Sequence, residues 1–493
     1  MSSQVEVKYT QIFIDGEYVN SASGKTFETK NPATGKVIAN IQEGDKEDID
    51  RAVKSARAAS DGWANTDPSK RAVVIQKFAD LMEKHFDQLV ALESLDNGKP
   101  VSLSKGDITL AISHFRYYAG WCDKVTGKTM ASEGDFFNYT AIEPVGVVGA
   151  IIPWNFPILM FTWKVAPALA TGNAIVVKPA ETTPLTALYL ARLLVEAGLP
   201  KGVCNVVPGY GHTAGNALSR HMDVDKIAFT GSTRVGKLVQ IASGESNLKA
   251  VTLELGGKSP LIIMDDAAET DEELEQVVTT AIKVGIFYNQ GQVCCASSRV
   301  FVHEKIHDRF VEKAVEVAKK RNVGNPFDDA TEQGPQQNEV QFNTVLKYIK
   351  IGQEEDKATL SVGGQRVGSE GYFVQPTIFT NVTDNMTIAK EEIFGPVVAV
   401  LKFGSLEEVI KRANDTSYGL AAGIMTKSLK HALKFSKEAK AGTVWVNCWN
   451  SFQSNMPFGG YKMSGFGRDL GEYALNNYTK VKAVHIHIPG YKN

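Results

Sequence analysis

Cysteine is scarce in this chain: 493 residues carry only five, Cys122, Cys204, Cys294, Cys295 and Cys448. Their scatter excludes the disulfide framework of a small secreted scaffold, and no Cys-x-x-Cys pair points to zinc. Net charge is nearly absent as well, because 53 Lys and Arg meet 55 Asp and Glu to leave a formal −2. With no basic excess and no Lys/Arg block there is little to displace phosphate counterions, which removes nucleic acid from the expected partners. Internal repeats and low-complexity tracts are missing. The first residues, MSSQVEVKYT, hold no apolar core of signal-peptide length, and the last, PGYKN, hold no address signal. Reduced thiols and a cytoplasmic location are the expectation.

Long apolar runs are also rare, and the one that exists is broken. Val145 to Trp163 is nineteen residues without a charge, but Pro153, Asn155 and Pro157 interrupt it, so no membrane span is expected. The run reads instead as a buried strand, Val145 to Ile152, the loop PWNFP, and a helix from about Ile158. What the chain does have is 43% hydrophobic and 22% charged residues, enough to bury a large core. At about 150 residues per domain, the length predicts roughly three domains.

From Val145 onward strands and helices alternate. Asn173 to Lys178 reads as a strand, and Pro184 opens a helix whose Ala187, Leu190, Ala191, Leu194 and Val195 share one face. Strands at Val203 to Val207, Lys226 to Thr230 and Val251 to Leu255 follow, with helices near Ala214 and Val235 between them. This spacing predicts right-handed crossovers and a parallel sheet covered on both faces. A second α/β run has strands at Pro260 to Met264 and Arg299 to His303, with helices at Glu272 to Val284 and Lys305 to Lys320. The acidic stretch Asp265 to Glu275 fits a solvated helix start, where carboxylates meet the positive end of the dipole. Gly127 to Pro144 reads as a hairpin around Glu133-Gly134-Asp135, and Val481 to Ile488 as a strand in need of a partner edge, for which pairing between subunits is expected.

Two glycine patterns suit a phosphate. Gly209, Gly211 and Gly215 have GxGxxxG spacing rather than GxGxxG, so they are a weak signal. FTGSTRVG puts Gly231 and Ser232 between a strand and a helix start, where free N–H groups face an anion, although a bare strand-to-helix turn looks the same. The adjacent cysteines of GQVCCASSR are either small buried hydrophobes or nucleophile candidates. Glu254 ends an apolar strand just before two glycines, a place that suits a base better than a structural carboxylate. Asn155 in PWNFP supplies an amide able to stabilise an oxyanion. His485 and His487 lie two apart on a strand with no third ligand near in sequence, so no metal is expected.

The motifs PWNFP, VVKPAE, FTGSTRVG, LELGGKSP, NQGQVCCASSR, EEIFGPV and MPFGGYKMSGFGR, in this order, identify a resemblance to the aldehyde dehydrogenase superfamily over nearly the whole chain. The nearest likeness is to the tetrameric class that includes the cytosolic retinal and mitochondrial acetaldehyde enzymes. The resemblance implies an α/β fold: a modified Rossmann cofactor domain over residues 1–125 and 145–256, a second α/β catalytic domain over 257–465, and a small β oligomerisation arm over 126–144 and 466–493. It implies NAD as cofactor, a small-molecule aldehyde as substrate and a homotetramer built as a dimer of dimers.

Residue by residue, the resemblance makes Cys294 the nucleophile and Cys295 a neighbour without required chemistry. Glu254 becomes the general base, and Asn155 with the Cys294 N–H the oxyanion hole. Lys178 and Glu181 hold the adenosine ribose, Ser232 and Trp154 the diphosphate and its wall, and Glu392 and Phe394 the nicotinamide ribose. Ile151, Pro153, Gly211, Phe229, Gly231, Val235 and Leu255 complete the cofactor set. Phe156, Leu159, Trp163, Tyr288, Phe452 and Phe458 line a substrate tunnel or are plain core. A plainer role for Glu181 is to cap the helix after Thr183. The implied reaction oxidises an aldehyde to a carboxylic acid through a cysteine thiohemiacetal and thioester; a catalytically retired, crystallin-like relative is the alternative. Departures from the family pattern are Val293, Ser297, a longer interval between Glu254 and Cys294, and Lys480 where several relatives carry glutamate.

Overall fold

The computed structural model describes residues 5–491. Residues 1–4 and 492–493, assigned from sequence to the start of the cofactor domain and the end of the tail, lie outside the described residues. The run that mimicked a membrane span resolves as expected: strand Val147–Ile151, loop, then helix Pro157–Ala170 with Pro157 in its first turn. All fourteen residues of that helix are buried, which is why its sequence is apolar on every side. It packs on helix Val101–Ala119. Among the described residues no helix is long and apolar enough to cross a membrane.

Two sheets organise the chain. In the first, the strands run in the spatial order Ala250–Glu254, Lys226–Thr230, Val147–Ile151, Ala174–Lys178 and Cys204–Val206, all parallel. Antiparallel pieces close its two sides: Gly465–Phe466 at one, Ile12–Ile14 with Glu17–Val19 at the other. The crossovers reverse direction between Val147–Ile151 and Lys226–Thr230. That switch point opens a crevice at the carboxyl ends of the strands, the usual ligand position in such a sheet. The second sheet has seven strands, among them Pro260–Ile263 and Arg299–His303, and all its neighbours are parallel except Thr359–Val362 with Thr377–Thr380.

Two local expectations change. The turn at Gly211 to Gly215 is a π-helical turn leading into helix Asn216–Arg220, not a Rossmann glycine turn. The tail strand Thr479–His487 finds its partner edge inside the chain, pairing antiparallel with Phe136–Pro144 from Thr479 opposite Pro144 to His487 opposite Phe136. The hairpin exposes a projecting edge that its own carboxyl end fits, so the expected intersubunit pairing is not needed to satisfy that edge. Lys480 lies opposite Glu143, and the neighbouring Lys482 makes the ion pair with it.

The acidic stretch behaves as its charge suggests. Thr270 and Glu273 form a capping box at the start of helix Asp271–Val278. Asp265, Asp271 and Glu275 pair with Lys305, Arg309 and Lys313, and Lys427 bridges Glu269 and Glu273.

Candidate active site

The loops at the switch point carry the expected residues. PWNFP leaves the strand Val147–Ile151, Gly231 and Ser232 leave Lys226–Thr230, and Glu254 is the last residue of Ala250–Glu254. Cys294 arrives from the other unit, on the segment between the turn Tyr288–Gly291 and the strand Arg299–His303. These pieces meet around a cavity of about 900 Å³. Pro153, Trp154, Asn155, Gly231, Ser232, Glu254, Leu255, Cys294, Glu392 and Phe394 all line it.

The turn before Cys294 is left-handed over three residues, with φ of 46° at Asn289, 58° at Gln290 and 73° at Gly291. Only glycine fits the last position, since a Cβ there would lie 2.0 Å from the Gly395 carbonyl oxygen. This sharp turn leaves Cys294 partly accessible while Cys295 is fully buried. The Cys295 thiol donates to Asn450 Oδ1 at 3.5 Å, and its carbonyl accepts from Trp449 Nε1 at 3.1 Å. Contact with the Cys295 side chain, together with burial, pushes the Cys294 thiol well above its ordinary range. A base must therefore take its proton before it can attack.

Glu254 is 6% exposed, and its Oε1 is buried with no hydrogen-bond partner. Burial raises its carboxyl well above the usual carboxylate range; the negative Asp469 adds to the shift and Lys164 opposes it. Lys164 and Asp469 themselves form a buried ion pair. Asn155 donates through Nδ2 to the Gln292 carbonyl at 3.0 Å, which uses one of its two amide hydrogens and leaves the second free.

On the cofactor side, Ile151 stands in register between Phe229 and Lys178 at the strand ends, outside the cavity. Phe229 is buried beneath Gly231, where a Cβ would meet its ring at 2.6 Å. Ser232 caps helix Thr233–Gly244, accepting from the Val235 N–H at 3.4 Å. Lys178 Nζ donates to the Pro179 carbonyl at 2.8 Å and pairs with Glu181 at 3.3 Å. Burial lowers the Lys178 pKa and Glu181 opposes that shift. Glu181 is not a helix cap: Pro184 precedes helix Leu185–Glu196, and the Leu185 N–H donates to Asp96 Oδ2 at 2.9 Å. Gly211 has open space where a side chain would project. Glu392 lies against Gly256 and accepts from the Gly257 N–H at 2.9 Å; burial pushes its carboxyl up to about 7. Trp154 and Phe394 meet edge to face at 5.3 Å.

All six tunnel candidates line the cavity. Trp163 lies 5.5 Å from Phe458 and 6.0 Å from Phe452, while Phe156 stacks on Tyr288 at 6.3 Å. The sequence reading missed Gly106 and Leu110, which bring helix Val101–Ala119 to the same wall. The available signal was a glycine inside a helical pattern with no cap to explain it. It also missed Asn450 and the Lys164–Asp469 pair, whose members are far apart in sequence. His485 bonds Asn138 at 3.0 Å on the arm.

Known proteins resemble this chain over nearly its whole length. The profile of the Aldehyde dehydrogenase family matches residues 18–484. The mitochondrial aldehyde dehydrogenase of Homo sapiens is 56% identical over 492 residues, covering 99% of this chain and 94% of that protein. Retinal dehydrogenase 2 of Homo sapiens is 52% identical over 489 residues, covering 98% and 93%. The solved NAD+ complex of aldehyde dehydrogenase from Bacillus cereus superposes with a TM-score of 0.95 at 52% identity, covering 98% of this chain and 97% of that one. The relatives also correct one expectation: those at 56% identity are mitochondrial enzymes, which overturns the cytoplasmic location read from cysteine usage and the termini. With a family profile over most of its length and relatives above half identity, the chain belongs to the aldehyde dehydrogenase family.

Proposed function

We propose that the protein oxidises an aldehyde to a carboxylic acid with NAD, using Cys294 as nucleophile, Glu254 as base and Asn155 with the Cys294 N–H as oxyanion donors. The observation that carries this reading is the convergence of these three side chains, from two sheets, on one largely apolar cavity at the switch point. The donor set suits a dinucleotide: Ser232, with its open helix start, and Glu392, for one ribose, line the cavity, while Lys178 at the end of strand Ala174–Lys178 and its partner Glu181, outside the cavity lining, would meet the other ribose. The NAD+ complex of the Bacillus cereus relative supports the same cofactor.

Cys294 releases its proton to solvent and attacks the carbonyl carbon as the thiolate. Negative charge then develops on the aldehyde oxygen, where the free hydrogen of the Asn155 amide and the Cys294 N–H offset it in a dry pocket. NAD, when bound, would supply the hydride acceptor, and loss of hydride brings this carbon on Cys294 to the thioester level. Glu254 next takes a proton from water as the hydroxyl adds to the thioester carbon; the C–S bond breaks, the acid leaves, and the proton held on Glu254 passes to the departing sulfur, restoring both groups. The tunnel aromatics exclude bulk water and favour an apolar substrate.

A carboxylate at the adenosine ribose also predicts a preference for NAD over NADP. The assembly proposed is a homotetramer. The direct test is reduced-cofactor absorbance with NAD and acetaldehyde: turnover in the parent and none in Cys294→Ser, with NAD binding retained, is expected. Equal turnover in the two proteins contradicts the reading.

A further inference from the structure

Buried amides join the two loops that meet at Asn155. Asn97 is fully buried at the end of helix Phe86–Asn97; its Nδ2 donates to the Trp154 carbonyl at 2.7 Å and the Asn155 carbonyl at 3.2 Å. Asn289, also fully buried, donates to the same Asn155 carbonyl at 3.0 Å and to the Gln292 carbonyl at 3.4 Å. That Gln292 carbonyl is the acceptor for the Asn155 side chain. The backbone of Asn155 is thus gripped by two amides, and its side chain is held by the segment that leads into Cys294.

This arrangement is poor economy if stability is its only purpose. Asn97 Oδ1 and Asn289 Oδ1 are both buried without a hydrogen-bond partner, and each such group is destabilising. Asn289 and Gln290 also sit at positive φ, a sparsely populated region for residues with side chains. Strained and half-satisfied groups persist where surrounding structure enforces a geometry that function needs.

We propose that Asn97 and Asn289 are positioning residues for the oxyanion pocket: they fix the Asn155 carbonyl from two sides and, through the Gln292 carbonyl, tie the aim of the Asn155 amide to the Cys294 backbone. An oxyanion needs both donors placed to within about half an ångström, and they come from loops of different sheets. The inference rests on the dehydrogenase reading above.

Asn289→Gly tests it, because glycine keeps the left-handed turn while removing the amide, and Asn97→Ala is the second variant should the first fail to fold. The readout is the pre-steady-state burst of reduced cofactor at saturating NAD and aldehyde, with NAD affinity measured separately by fluorescence titration. Each variant is expected to slow the burst about tenfold or more, with NAD affinity unchanged within about twofold. In an Asn155→Ala background, where the aimed group is gone, the same substitutions should slow it by no more than about twofold further. Unchanged bursts in the single variants, or a full additional tenfold loss in the Asn155→Ala background, overturn the proposal. A parent that reduces no cofactor with any aldehyde overturns the dehydrogenase reading and the positioning role with it.

Discussion

At the scale of single residues, the site runs on burial. Glu254 and Cys294 are both pushed toward their protonated forms, so each step that needs an anion must wait for a proton to leave. A base acts only when ionised, and burial raises the Glu254 pKa; kcat should therefore rise with pH along a limb well above the ordinary carboxylate value of 4.5. Asp469→Asn removes the neighbouring negative charge and frees Lys164, both of which favour the ionised form. The limb should move to lower pH, as read from kcat–pH profiles of parent and variant; a limb that stays in place or rises contradicts the account. Glu181 supplies a second prediction. Two unit charges at 4 Å in an effective dielectric of 20 repel by about 4 kcal/mol, an upper guide for the 2′-phosphate of NADP facing this half-exposed carboxylate. The expected preference for NAD is about tenfold or more in kcat/KM, or roughly 1.4 kcal/mol, and Glu181→Gln should reduce it. Equal use of both cofactors by the parent contradicts the assignment.

At the scale of elements, helix Val101–Ala119 shows what one residue does to a wall. Gly106 interrupts it with no close neighbour at the place of its missing Cβ, and it lines the cavity. A glycine inside a helix costs about 0.5–1 kcal/mol relative to alanine, so Gly106→Ala should stabilise the fold by about that amount in denaturant melts. Gly106→Val should narrow the cavity and lower kcat/KM for a ring-bearing aldehyde several-fold more than for acetaldehyde; equal effects on the two substrates contradict a place in the substrate path. The same scale marks the limit of what the sequence reveals. The alternating strands, the broken apolar run and the acidic helix start were legible, because periodicity, proline and helix-start chemistry act over a few residues. Glu254 and Asn155 were legible because each is polar where an apolar strand ends. Asn97, Asn450 and the Lys164–Asp469 pair were not, since they reach the site from distant segments that only the folded chain brings together. The π-helical turn at Gly211 was hidden for a different reason: its glycines resemble a phosphate loop while the backbone takes another path.

At the scale of the whole molecule, the arm is the part that points outward. Its strands Phe136–Pro144 and Thr479–His487 satisfy each other, yet Met130, Phe136, Val481 and Ile486 remain exposed, an apolar surface uncommon on a free monomer. In solution the mass should be near four times 53.6 kDa, and a chain ending before Thr479 should give a smaller species by light scattering. A full-length protein that scatters as a monomer contradicts the tetramer. The central claim, that an aldehyde passes through a thioester on Cys294 which Glu254 then helps to hydrolyse, is tested most directly by Glu254→Gln with NAD and an aldehyde. The account predicts one equivalent of reduced cofactor, then a halt, with intact mass showing one acyl group per chain, carried by Cys294. Continued turnover at the parent rate, or an acyl group on another residue, would contradict it.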